Sequence, residues 1–179
     1  MNCEVCHKVI EIRSGRVPSF CSGACRQKAY RQRRRRAKQF DRLAEGRWVR
    51  ADGKRPITAA GSPASSTDPS TWSTRTRIET STAGDGSGVM LGGGLGCYDF
   101  DNCFAAGELT PAARETLASI PEPVLRVERS VSGRGLHVFV EAPEARGSRR
   151  VGVERYTAGR FIRLGEPVTD QSILELLRR

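Results

Sequence analysis

Four cysteines in two pairs, Cys3-x2-Cys6 and Cys21-x3-Cys25, constrain this chain more than any other feature. Two short turns then offer four soft sulfur ligands, a set that suits tetrahedral zinc. The segment needs such a cross-link. Val, Leu, Ile and Phe number 37 among 179 residues, yet only 11 of them fall in residues 1–87, against 22 in residues 88–168. A stretch of about 20 residues with so little to bury has no core of its own, and bound metal would supply its folding free energy. The start, MNCEVCHK, carries no apolar leader. Six cysteines without a secretion signal point to a reducing compartment, where thiol pairs bind metal more often than they form disulfides. His7 is an alternative to Cys6 as ligand, and free thiols in an unstructured tail are the alternative to a metal site.

The second pair opens a helix. Ser22 is placed to cap it, and Ala, Arg, Gln and Lys favour a run from about Gly23 to Glu45, ending at Gly46. Tyr30, Ala37, Phe40 and Ala44 share one side of that helix. The rest is basic: residues 26–50 hold eleven Lys or Arg against two acids, so they carry +9 of the chain's net +10. Residues 51–179 sum to zero. Crowded like charges cost helix stability unless a polyanion relieves them, and nucleic-acid phosphate is the expected relief. Arg26, Lys28, Arg31, Arg33, Arg34, Arg35, Arg36 and Lys38 are the expected DNA contacts; a merely solvated face is the alternative. The pattern CxxC…FCSxxCRQxAYRxRR resembles treble-clef-like zinc knuckles of actinobacterial and phage proteins, a resemblance that implies DNA binding.

Beyond the helix, Arg47–Val49 reads as a short strand, turning at Ala51-Asp52-Gly53, and residues 56–88 read mostly as loop. Val89–Leu91 and Gly96–Phe100 read as strands around Gly92-Gly93-Gly94. Thr110-Pro111 opens a helix over 111–119. Val124–Val131 and Leu136–Glu141 alternate as strands about the turn Ser132–Gly135, and Val151–Tyr156 with Arg160–Leu164 suggest a hairpin turning at Ala158-Gly159. A helix over about 170–178 closes the chain. No run of 18 apolar residues exists, so no membrane partner is expected.

Chemistry-bearing residues cluster on these strands. In Gly96-Cys97-Tyr98-Asp99-Phe100-Asp101 the two acids stand two apart and share a face, where they repel unless a hard divalent cation, Mg or Mn, lies between them. His137 follows the turn Ser132-Gly133-Arg134-Gly135, whose free amides suit phosphate. Glu154 is a third acid on a third strand. Taken singly, each also fits an ordinary surface or structural role.

The blocks RWVRADGKRPITAAGSPASSTDPSTWST, GCYDFDNC, SVSGRGLHVFV and VERYTAGRFIRLGEPV, in that order over residues 47–168, resemble the bifunctional primase/polymerase (prim-pol) domain of phages and plasmids, within the archaeo-eukaryotic primase superfamily. With the zinc knuckle and long basic helix read from the cysteine pairs and the charge run, three segments are expected: 1–25 knuckle, 26–46 basic helix and linker, 47–179 primase/polymerase-like domain. For the third, the resemblance implies an α+β fold: a small RNA-recognition-motif-like (RRM-like) sheet with flanking helices. It further implies a template-dependent nucleotidyltransferase of phage or mobile-element DNA replication. Asp99, Asp101 and Glu154 would hold two catalytic Mg or Mn ions, and His137 would contact the triphosphate. Ser132, Gly133 and Arg134 would join the nucleotide site, with Arg160 or Arg163 neutralising charge. Lys54 and Arg55, with the Ser65-Ser66-Thr67 turn, meet template or nucleotide or else belong to a solvated loop. The partners implied are single-stranded or primed DNA, nucleoside triphosphates and a separate helicase, in the cytoplasm of a bacterial host. The family places a helix after STDPSTW, where residues 73–88 here read as loop. A noncatalytic DNA-binding accessory on a degenerate core is the alternative function.

Overall fold

The computed structural model describes residues 2–11 and 18–177. Two compact units divide the chain, Met1–Lys38 and Gln39–Arg179.

In the first unit, Asn2 bridges Val9, and the amides of Cys3 and His7 close a turn through the carbonyls of Lys8 (2.8 Å) and Cys3 (3.0 Å). His7 takes φ 57°, a left-handed value that turns the chain just after Cys6. Helix α1 spans Gly23–Leu43. Ser22 caps it as its sequence position suggests, its hydroxyl accepting from the Cys25 amide at 3.2 Å. The expected apolar side holds only in the last two turns, where Phe40 and Ala44 are buried in the core of the second unit. Tyr30 and Ala37 are exposed, and Ala29 is buried in Tyr30's place.

The second unit is α+β, with antiparallel pairing throughout. Its elements after α1 run β1 (Trp48–Asp52), β2 (Arg55–Ile57), α2 (Arg75–Glu79), β3 (Gly86–Met90), β4 (Leu95–Phe100), β5 (Phe104–Ala105) and β6 (Glu108–Leu109). They continue with α3 (Pro111–Ser119), β7 (Val124–Arg129), β8 (Leu136–Glu141), β9 (Ser148–Arg150), β10 (Val153–Tyr156), β11 (Phe161–Arg163), β12 (Glu166–Pro167) and α4 (Gln171–Leu176). Helix α3 occupies its expected span, capped by Thr110 with Pro111 in the first turn. Position 178 of the expected last helix lies outside the described residues. None of the described helices is long and apolar enough to cross a membrane.

Instead of one small sheet there are two principal ones, a four-stranded sheet in the order β11-β3-β1-β2 and a six-stranded sheet in the order β12-β7-β8-β4-β10-β9. The expected hairpin over 151–164 does not form. β10 pairs with β4 in the larger sheet and β11 with β3 in the smaller, so Ala158-Gly159 belongs to a crossover. Burial decides this: Ile162 packs with Val89 in the core between the sheets. The segment 56–88 is also more structured than loop. Asp68 and Thr74 act as caps there. Asp68 accepts from the Ser70 amide to start a 3-10 turn, and Thr74 accepts from the Arg77 amide to start α2. A short helix therefore does follow STDPSTW.

Side chains of the six-stranded sheet alternate between two cores. Phe100, Leu136, Val138, Val140 and Val127 pack with Leu117 of α3 and Ile173 of α4. Leu95, Cys97, Phe139 and Leu125 face the other way, onto Trp48, Val89 and Ile162 of the smaller sheet, Ile78 of α2 and Phe40. Phe139 and Phe40 meet edge to face at 5.1 Å. This second core continues into the candidate site.

Candidate functional site

Along β4, the face turned to the smaller sheet reads Leu95, Cys97, Asp99: two apolar residues and then a carboxylate. Pairing registers put His137 of β8 directly opposite Asp99 on one side, and Glu154 of β10 directly opposite it on the other. Glu128 of β7 in turn stands opposite His137. Directly opposed residues point to the same face. Four polar residues, Glu128, His137, Asp99 and Glu154, therefore form one row across four neighbouring strands. Asp101 follows β4 and is exposed. Gly135 lets the β7–β8 turn close over the end of β4, since a Cβ there would lie 2.4 Å from the Phe100 carbonyl oxygen.

The row is desolvated, and its charges show it. Burial pushes the Asp99 carboxyl up to about 6, with repulsion from Asp101 and Glu154 adding to it against the pull of Arg160 and Lys54. Lys54 is thereby placed electrostatically with the acids, as is Arg160, whose guanidinium lies over the Tyr156 ring at 4.7 Å. Burial likewise pushes the His137 imidazole down to about 4, against the attraction of Asp101. Its Nε2 lies 3.7 Å from an Asp99 oxygen, while Nδ1 is buried and has no partner. An imidazole with an idle nitrogen beside a partly buried carboxylate suits a ligand that brings its own charge or hydrogen-bonding groups.

Other expected site residues are already engaged. Glu154 accepts from Arg149 Nε at 2.7 Å and from the Tyr156 hydroxyl. Asp99, Asp101 and Glu154 are not drawn together as the cysteines are; among the described residues, only the cysteines form a metal-sized group. Glu154 would have to release Arg149 before it could serve as a ligand alongside the aspartates. In the turn after β7, the amides of Gly133, Arg134 and Gly135 are already taken. Gly133 donates to the Ser130 carbonyl at 2.8 Å, Arg134 to the Ser132 hydroxyl at 3.4 Å and Gly135 to the Ser130 hydroxyl at 3.1 Å. Turn closure uses the groups that the sequence suggested for phosphate. Arg163 grips Asp85 at 3.0 and 3.2 Å and the Gly53 carbonyl, while Gly53 donates to Asp85 at 3.0 Å. It thus pins the β1–β2 turn that carries Lys54. Arg55 pairs with Asp52 at 2.5 Å. Ser65 and Thr67 hydroxyls bond each other at 3.2 Å.

Glu128 is the residue that sequence reading misses. Fully buried, it accepts from Arg126 at 2.5 Å and from the Gly165 amide at 3.0 Å. A bulge between Val124 and Arg126 breaks the alternation of β7, so no simple period points to it. Arg149 and Tyr156, which hold Glu154, are also invisible without the pairing.

In the first unit, the sulfur ligand atoms of Cys3, Cys6, Cys21 and Cys25 lie within 4.8 Å of one another, with Cys6–Cys21 at 3.4 Å and Cys21–Cys25 at 3.5 Å. Such a cluster can hold a metal ion such as zinc. Burial would raise the Cys3 thiol, but the amides of Cys21, Val5 and Cys6 outweigh it and bring it down to about 6. Hydrogen bonding with Cys6, Cys25 and Cys3 sends the Cys21 thiol up to about 12. His7 is not in the cluster. Downstream, Arg26, Lys28, Arg31, Arg33, Arg34, Arg35, Arg36 and Lys38 are all exposed on α1.

No protein-family model matches this chain. Comparison with curated proteins likewise gives no match.

Proposed function

We propose that the chain is a template-dependent nucleotidyltransferase of the primase/polymerase kind, with an RRM-like catalytic core in the second unit and a zinc-stabilised first unit that holds DNA. The observation that supports this reading best is the cross-strand row Glu154–Asp99–His137, with Asp101 beside it. Three separate sequence blocks, each resembling a prim-pol motif, contribute Asp99, His137 and Glu154 to one row of one sheet face.

In this reading, Asp99 and Asp101 would hold divalent ions, which would supply charge neutralisation at the triphosphate and activation of a 3′ hydroxyl. His137, whose Nδ1 is buried without a partner here, would donate an N–H to a phosphate oxygen once its ring turns toward the nucleotide. Lys54 and Arg160 flank the acids and meet the developing negative charge on the phosphates. Glu154 joins the acids when Arg149 turns to a phosphate instead. The cysteine cluster takes zinc, and the arginine helix supplies the long-range attraction for DNA that a neutral second unit lacks.

The test is nucleotide incorporation on a primed DNA template with Mg or Mn. The native protein should extend the primer, and Asp99→Ala with Asp101→Ala should abolish extension, a loss of at least several hundredfold for removal of the ion-holding pair. Equal traces from both proteins would refute catalysis. A noncatalytic DNA-binding accessory is the second reading, favoured by the Arg149–Glu154 pair and the self-satisfied Ser130–Gly135 turn. It predicts no incorporation by either protein, with DNA binding intact in both.

A further inference from the structure

Tyr30 is the one aromatic residue on the exposed length of α1 within the first unit, and it is 55% exposed. Its position in the sequence suggests a core residue, but Ala29 is the buried neighbour, and the ring stands among cations. Arg26 and Arg34 flank it one turn away on either side, with Arg33 three residues on, so all share its side of the helix. The Arg34 guanidinium lies 5.8 Å from the ring centroid. Among the described residues, no acid forms an ion pair with Arg26, Arg33 or Arg34.

We infer that Tyr30 stacks on an unpaired base, so that this helix selects single-stranded over duplex DNA. The inference rests on the reading of the arginine helix as a DNA grip and names which form of DNA it takes. Phosphates recruited by the arginines are common to both forms. An aromatic face is not. In a duplex, the faces of the bases are covered by their neighbours in the stack, whereas a single strand can turn a base onto a protein ring. A half-exposed tyrosine with a guanidinium over one face leaves the other as a stacking platform, with cationic charge beside it for the strand's backbone. Single-strand preference also suits a unit attached to a core that reads an exposed template.

The experiment measures binding of zinc-loaded full-length protein to a labelled oligothymidylate and to a duplex of equal length, by fluorescence anisotropy over a range of salt. Tyr30→Ala should weaken strand binding about tenfold, the loss of one stacked base, and leave duplex affinity and salt slope unchanged. Tyr30→Phe should keep native strand affinity, because it keeps the ring. Arg33→Ala with Arg34→Ala should weaken both forms and flatten the slope. Native strand binding by Tyr30→Ala, or an equal loss on strand and duplex, overturns the stacking role while leaving the DNA grip in place. Salt-independent or absent binding of the native protein to both forms overturns the grip itself. Tyr30 is exposed, so its replacement leaves the fold intact, and an unchanged zinc content confirms that in each variant.

Discussion

The two units hold themselves together by different physics. The second buries Phe40, Phe100, Phe139, Leu95, Leu117 and Leu136 to less than 2% exposure in two cores on either face of one sheet. The first has Cys3 and Ala29 as its only buried hydrophobic residues among those described. Four sulfurs within 4.8 Å can take the place of a core there by holding a metal. Apolar burial spreads stability over many residues, each replaceable at moderate cost. A ligand cluster concentrates it in four atoms, and losing one loses the unit. The division also follows charge: the core-poor unit carries the cation-rich helix, whose repulsion a metal site can outweigh and a marginal core cannot.

The largest test of that contrast is Cys21→Ser. Structural zinc sites contribute on the order of 10 kcal/mol, so the first unit should lose its helix while the second keeps its thermal transition. Hydrogen exchange resolved by segment checks this; protected amides over 23–38 in the variant would break the comparison. Next comes Phe139→Ala. It removes a fully buried ring between the two sheets and should cost about 3–5 kcal/mol in the unfolding of the second unit, with zinc content unchanged. A loss under about 1 kcal/mol in chemical denaturation would show that the core between the sheets is not the source of stability assumed here.

The smallest expected effect lies at the site and depends on pH. Asp99 binds its proton more tightly in the folded protein, at about 6 against an ordinary 3.8, so its contribution to stability is present at low pH and lost as pH rises through 6. His137 runs the other way. At about 4 against 6.5, its contribution is present above 6.5 and lost as pH falls through 4. The two slopes oppose each other between about pH 4 and pH 6. Asp99→Asn removes the first and leaves the second. The variant should gain about 2 kcal/mol at pH 7 and acquire a decline in stability from pH 6.5 to pH 4, measured by denaturant titration without added magnesium or manganese. A native-like pH profile would mean that burial does not strain this carboxylate.

How much of the site is legible in sequence follows from what kind of signal each residue carries. Spacing is local, so the cysteine cluster, the Ser22 cap and the 111–119 helix can be read directly. Alternation is local too, and it places Asp99 and His137 on strands. Pairing between distant strands is not local. No feature of Val153-Glu154-Arg155-Tyr156 says that it lies beside β4 and not in a hairpin with 161–163, and no feature of β7 says that Glu128 is buried next to His137. The Ser132–Gly135 turn shows the opposite failure: its composition suggests phosphate, but its own serines take the amides.

The sequence by itself determined a cysteine cluster able to hold a metal, a basic helix and an α+β body of alternating strands, because these depend on residue type and on spacing of a few positions. Only the tertiary structure decided that the strands divide between two sheets, that Asp99, His137 and Glu154 share a row, and that Arg149 and Arg163 are held by acids. Those outcomes depend on which apolar faces are buried against each other, here Phe139 and Leu95 against Trp48, Val89 and Ile162. Burial of that kind is settled by the whole chain at once, and no short window of sequence contains it.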